Sequence, residues 1–194
     1  MNPNNLSRFD LNFPGNWIAG DDRDLAFETF QLLKIVKDQL LRAVVSCSLF
    51  QPISEKNIRK RLDEHLSEYE ACLNSIYATT FVLSLDTIAK LLHTLRRNLE
   101  PPTQARDFVD RYQEQFGQLK YIRDSIMHIE DRGRGKDRNQ ENIPASFFVL
   151  GVYVENRYEF TGEDGNRYSV EISENTLLAA RKIIQDIINA YKWE

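Results

Sequence analysis

Apolar residues recur at intervals of three and four over three long stretches of the chain. The first runs from Asp21, a residue able to cap a helix, through Leu25, Phe27, Leu32, Leu33, Val36, Leu40, Val44 and Val45 to Gln51-Pro52. The second starts near Ser54 and continues without Gly or Pro to Asn98, its stripe made of Leu62, Leu66, Tyr69, Leu73, Ile76, Leu83, Ile88, Leu91 and Leu95. As one rod it would span about 68 Å at 1.5 Å per residue, so a bend or break is expected near His65 or at Thr79-Thr80. Pro101-Pro102 ends it, because proline lacks the amide a helix needs. Thr103 is placed to cap a third helix, in which Ala105, Phe108, Val109, Tyr112, Phe116, Leu119, Ile122 and Ile126 recur until about Glu130.

The pattern then changes twice. Residues 131–142 contain no apolar side chain and include Gly133 and Gly135, which predicts an exposed flexible loop. Ser146 to Ser173 is rich in aromatic and β-branched residues, with turn signals at Glu155-Asn156 and Asp164-Gly165, which predicts a three-stranded antiparallel meander. Ser173 caps a last helix with Leu177, Ile184, Ile187, Ile188 and Tyr191 on its buried face. Residues 1–20, with Asn, Pro, Gly and the rings of Phe9, Phe13 and Trp17, read as an irregular arm packed on the core. The expected fold class is α+β, mostly helical: an arm at 1–20 and a helical domain at 21–194 carrying a β-meander insertion at about 145–172.

Length and composition agree with one globular domain: 194 residues, 42% hydrophobic and 28% charged. No uninterrupted apolar run is long enough to span a bilayer, and the first residues lack the basic and apolar regions of a secretory signal, so the expectation is a cytoplasmic protein with no membrane partner. Cys47 and Cys72 lie in helical contexts without a CxxC pair and read as packing residues. A net charge of −4 excludes a generally basic nucleic-acid coat, so a polyanion would have to be met by a local patch. Phosphate-loop, dinucleotide, HExxH and nucleophile-elbow motifs are absent, and three scattered histidines, His65, His93 and His128, make no multi-histidine metal site. No metal and no cofactor is therefore expected.

Local charge and chemistry converge on the end of the third helix. Arg123, Asp124, Ser125, Ile126, Met127 and His128 set a guanidinium five residues before an imidazole, beside the polar loop. On a continuous helix with Arg123 at 0°, the apolar stripe runs from about 260° through 0° to about 20°. Arg123 therefore sits at its edge, where a charge needs a partner. Asp124, Gly117 and His128 fall at about 100°, 120° and 140°; that shared face, with glycine allowing close approach, would suit a helix contact across a two-fold axis. In the loop, Arg132, Arg134, Lys136 and Arg138 outnumber Asp131 and Asp137 and form a local basic patch for phosphates. Tyr153, Tyr158 and Tyr168 of the meander are candidates to stack on bases.

The Arg-x4-His spacing, late in the third helix of a helical bundle with strands before the last helix, resembles the R-x(4-6)-H motif of the HEPN superfamily over most of residues 21–194. Arg59 to His65, with five residues between them, also fits the motif, but early in the second stretch, with Lys60 after the arginine and no basic loop nearby. The resemblance implies an antiparallel helical bundle, a homodimer with Arg and His of both protomers in one cleft, and metal-independent RNA cleavage by a toxin or antiviral effector, with a protein antitoxin as a further partner. In those terms His128 moves protons, Arg123 holds the phosphate and Asp124 orients one of them. Two other readings stand beside it: a non-catalytic module binding a nucleotide, RNA or a protein, and a dimeric helical scaffold.

Overall fold

The computed structural model describes residues 3–51, 68–144 and 149–194. A short 3-10 helix, Pro3–Phe9, precedes α1 (Arg23–Leu49), α2 (Glu68–Asn98), α3 (Thr103–Phe116), α4 (Leu119–Met127), α5 (Ile129–Gly133), β1 (Leu150–Val154), β2 (Arg157–Thr161), β3 (Arg167–Glu171) and α6 (Glu174–Asn189). The chain is mostly helical with one small antiparallel sheet, an α+β architecture. The expected start of the second helical stretch, with Arg59 and His65, lies outside the described residues.

The residues group into two compact units. The first comprises Met1–Val45, Ser84–Gly117 and Glu174–Glu194. Its α1 starts where the Asp22 carboxylate accepts the amides of Asp24 and Leu25, so Asp22 and not Asp21 caps it. Leu33, Val36, Leu40 and Val44 of α1 are buried as the periodicity requires, whereas Phe27 and Val45 remain about half exposed. The α2 residues Leu85, Ile88, Leu92 and Leu95 form a fully buried stripe. α3 packs along α6, and Tyr112 and Gln113 of α3 donate to the carbonyls of Leu85 and Ala89. No side chain caps α3; Thr103 is its first residue and Pro102 precedes it. The N-terminal arm is ordered by polar contacts, Arg181 donating to the Asp10 carbonyl and Gln185 to that of Asn12, and by the ring cluster of Phe13, Phe30 and Trp193.

The second unit comprises Ser46–Leu83 and Gln118–Ser173. In it α2 passes through Thr79-Thr80 without the expected break: Thr80 bonds back to the Ile76 carbonyl, and the Thr79 hydroxyl meets that of Tyr158 at 3.0 Å. Cys47 is buried as expected; Cys72 is exposed, because it faces away from the stripe. The sheet has the order β1-β2-β3, joined at the two turns the sequence signals, with Glu155 at φ 54° and Gly165 at φ 79°. One irregularity lies between Leu150 and Val152, where Gly151 takes φ +67° and a Cβ would stand 3.1 Å from the Phe160 ring. Tyr158 is buried against the sheet, which removes it from the candidates for base stacking; the side chain of Tyr153 lies outside the described set.

By length and composition, part of α2, Glu70–Asn98, would suffice to cross a membrane, and half of its most apolar window is buried within the chain, as in a core helix.

Candidate functional site

The expected single helix from Thr103 to Glu130 is three helices. The first closes at Gly117, where an added Cβ would stand 2.4 Å from the Gln113 carbonyl oxygen, so the missing side chain is what lets the turn tighten. Gly117 belongs to the first unit and Arg123 to the second. Gly117 lies outside the helix that carries Arg123 and Asp124, so of the expected face only Asp124 and His128, one turn apart, stand on one element. The second break is at His128 itself, whose φ of −122° and ψ of 39° leave the helical region, so that it closes α4 and opens α5.

α4 lies on the sheet, burying Leu119, Ile122 and Ser125. Ser125 is the polar member of that face: its hydroxyl lies 2.9 Å from the Thr161 carbonyl of β2 and 3.0 Å from the Tyr121 carbonyl one turn back. Thr161 in turn accepts the Val149 amide at its own hydroxyl, 2.8 Å away. Tyr121 stacks on Tyr168 of β3 with centroids 4.3 Å apart, and the Tyr168 hydroxyl donates to Asp164 at 2.6 Å. The helix carrying the candidate motif is thus held at both ends of its buried face.

On this helix Arg123 Nε lies 2.8 Å from Asp124 Oδ1, with 21% of the arginine side chain and 44% of the aspartate exposed. The charge at the edge of the stripe thus lies beside a carboxylate of opposite sign. The Asp124 carbonyl accepts the His128 amide at 3.1 Å, so one residue holds the guanidinium by its side chain and the start of the imidazole residue by its backbone. His128 is partly exposed and is flanked by Met127 and Ile129, 61% and 51% exposed.

The basic loop is more structured than its composition suggests. Asp137 accepts the amides of Asn139 and Glu141, and Lys136 and Asn142 form an antiparallel bridge. Arg132 corrects the reading of a basic patch: only 1% of it is exposed, its Nη1 donating to the Lys136 carbonyl at 2.7 Å and its Nη2 facing Glu163 at 3.5 Å. It ties the loop together and does not reach a phosphate. Arg138 faces the same glutamate at 3.9 Å, and Lys136 donates to the Asn142 side chain at 2.7 Å. Arg134 is exposed.

Sequence reasoning missed three residues here. Ser125 was legible as a small polar residue beside Ile122 and Ile126. Glu163, which faces two of the expected phosphate binders, carries no local signal. Gln140, whose amide donates to Asp131 at 2.9 Å, is positioned only by the turn of the loop. In the first unit a cavity of about 400 Å³, lined by Ile18, Leu25, Leu99 and Tyr191 among others, contains none of the expected site residues.

Comparisons with protein families, with curated proteins and with solved structures find no match to this chain.

Proposed function

We propose that the chain is a HEPN-type, metal-independent endoribonuclease, a toxin or antiviral effector that cleaves RNA in a cleft formed with a second copy of itself. The observation that carries this reading is the 2.8 Å pairing of Arg123 with Asp124 on a short helix that ends at a partly exposed His128. A guanidinium oriented by a neighbour and an imidazole at an open helix end are the two groups phosphodiester cleavage needs. About 140° separates Arg123 and His128 around the helix, so a second copy would complete the pair across a two-fold axis. The exposed Met127 and Ile129 supply apolar surface for that contact.

In this reaction one His128 imidazole takes the proton of a ribose 2′-hydroxyl while the 2′-oxygen attacks the adjacent phosphorus. The bond from phosphorus to the 5′-oxygen breaks, and the leaving oxygen takes a proton from an imidazolium, that of His128 of the partner subunit. Arg123 offsets the charge that builds on the phosphate oxygens. The products are a 2′,3′-cyclic phosphate and a 5′-hydroxyl end. Arg134, Lys136 and Arg138 are the groups that would meet flanking phosphates.

The test is incubation of the wild type, Arg123→Ala and His128→Ala with mixed-sequence RNA in EDTA, with end-group analysis. Cyclic phosphate ends from the wild type alone support the reading. Intact RNA throughout, or equal cleavage by His128→Ala, overturns it. One observation favours a non-catalytic binding module instead: Asp124 already neutralises Arg123, so the guanidinium must leave that carboxylate to meet a phosphate. RNA binding without cleavage, unchanged in His128→Ala, is the outcome that reading requires.

A further inference from the structure

The break at His128 brings together a second set of side chains. In an uninterrupted helix Glu130 would point about 200° away from His128. With the chain leaving the helical region at His128, the ligating atoms of His128, Glu130 and Asp131 all lie within 4.8 Å of one another. Gln140 holds Asp131 Oδ1 by a hydrogen bond of 2.9 Å. Arg132, the adjacent cation, is turned inward to the Lys136 carbonyl and Glu163. Among the described residues no ion pair reaches either Glu130 or Asp131. The two carboxylates converge with no Lys or Arg paired to either and repel each other, and a cation held between them and the imidazole removes that repulsion.

We propose that His128, Glu130 and Asp131 form a binding site for a divalent transition-metal ion of the Zn²⁺ class. The imidazole sets that class, since Mg²⁺ and Ca²⁺ prefer all-oxygen ligands. Three protein ligands open to solvent leave a coordination position for water. Donor atoms about 2.0–2.2 Å from zinc stand closer together than the trio does, and the side chains close that gap by rotation, Glu130 being exposed. Gln140 plays the outer role of fixing the orientation of a ligating carboxylate. For RNA cleavage the consequence, which rests on the ribonuclease reading, is inhibition: an ion on the His128 nitrogen occupies the lone pair that would accept the proton.

Calorimetric titration of the full chain with Zn²⁺ near neutral pH, without RNA, tests the site directly. The expected result is one ion per chain, with affinity lowered about ten-fold or more in His128→Ala and in Asp131→Asn, and unchanged in His65→Ala and His93→Ala. Glu130→Gln, a conservative change at an exposed position, is expected to weaken binding while circular dichroism stays that of the wild type. No binding by the wild type, or binding that His128→Ala and Glu130→Gln leave unchanged, overturns the proposal. The two readings fail separately: Zn²⁺ bound at His128 with RNA intact in EDTA removes the nuclease and keeps the site, and the converse result keeps the nuclease and removes the site.

Discussion

The Ser125 hydroxyl lies 2.9 Å from the carbonyl of Thr161, a contact between residues far apart in the chain that fixes α4 on the middle strand of the sheet. Arg123 and His128 lie two residues before and three residues after it. The candidate chemistry therefore stands on a helix held to the sheet by this hydroxyl together with buried Leu119 and Ile122 and the Tyr121–Tyr168 stack.

Ser125→Ala is expected to lower stability by about 1 kcal/mol, the net value of a hydrogen bond at a site where a carbonyl loses a donor. Urea unfolding checks this. If the ribonuclease reading holds, cleavage by Ser125→Ala falls more than the fraction unfolded accounts for, because the helix loses one of the contacts that hold it to the sheet.

Arg132→Ala and Arg134→Ala are expected to separate cleanly. Loss of the buried Arg132 removes the contact to the Lys136 carbonyl and costs about 2 kcal/mol in thermal or urea unfolding. Loss of the exposed Arg134 leaves stability within about 0.5 kcal/mol and reduces the salt dependence of RNA binding by roughly 0.7 in log-log slope. A change in salt slope from Arg132→Ala without destabilisation would contradict the burial argument.

Asp124→Asn keeps the shape of the side chain and removes the charge facing Arg123. In the ribonuclease reading, single-turnover cleavage slows by roughly ten-fold as the guanidinium loses its orienting partner, a step of about 1.4 kcal/mol. Cleavage that speeds up instead would show that Asp124 competes with the phosphate for Arg123.

The turn at residues 162–166 responds to pH at both ends of the scale. Burial alone would raise the Asp164 carboxyl, but hydrogen bonds from the Tyr168 hydroxyl and from Asn166 outweigh it and hold its pKa below the usual value. Its stabilisation is present above the ordinary aspartate range and is lost as pH falls through the lowered value. The hydrogen bond to Asp164, then burial and the charge of Asp164, push Tyr168 up to about 12. Its stabilisation is present below the ordinary tyrosine value of about 10 and is lost as pH rises toward about 12. Tyr168→Phe is expected to flatten both limbs in thermal melts across pH, and to remove one late-titrating group from the tyrosinate absorbance.

Gly151→Ala is expected to destabilise by about 1–2 kcal/mol, since a side chain at positive φ is strained and a Cβ there would press on the Phe160 ring at 3.1 Å. Chemical denaturation is the check, with Val152→Ala as an exposed neighbour that changes little.

The three-stranded meander, its two turns, the last helix and the long first helix were legible in sequence because each is a local matter of periodicity and turn chemistry. The stripe of α2 was less legible. Apolar residues lie on several of its sides, and packing selected Phe81, Leu85, Ile88, Leu92 and Leu95 while leaving Ile76 exposed. The three-way division of the stretch from Thr103 to Glu130 was not legible: residues at Gly117 and His128 are compatible with helix, and the apolar pattern carries on past both.

Sequence alone determined the class of the fold, the neighbourhood of Arg123, Asp124 and His128, and the charge beside them, because composition and spacing along one helix do not depend on what packs against it. Tertiary structure decided which of those charges face solvent. It turned Arg132 inward to a carbonyl and Glu163, paired Arg123 with its own neighbour, and folded Glu130 and Asp131 back toward His128. The physical reason is that a charge is directed by its nearest counter-charge and by desolvation, and the fold decides which side chains supply them, next in the chain as Asp124 is for Arg123 or far along it as Glu163 is for Arg132.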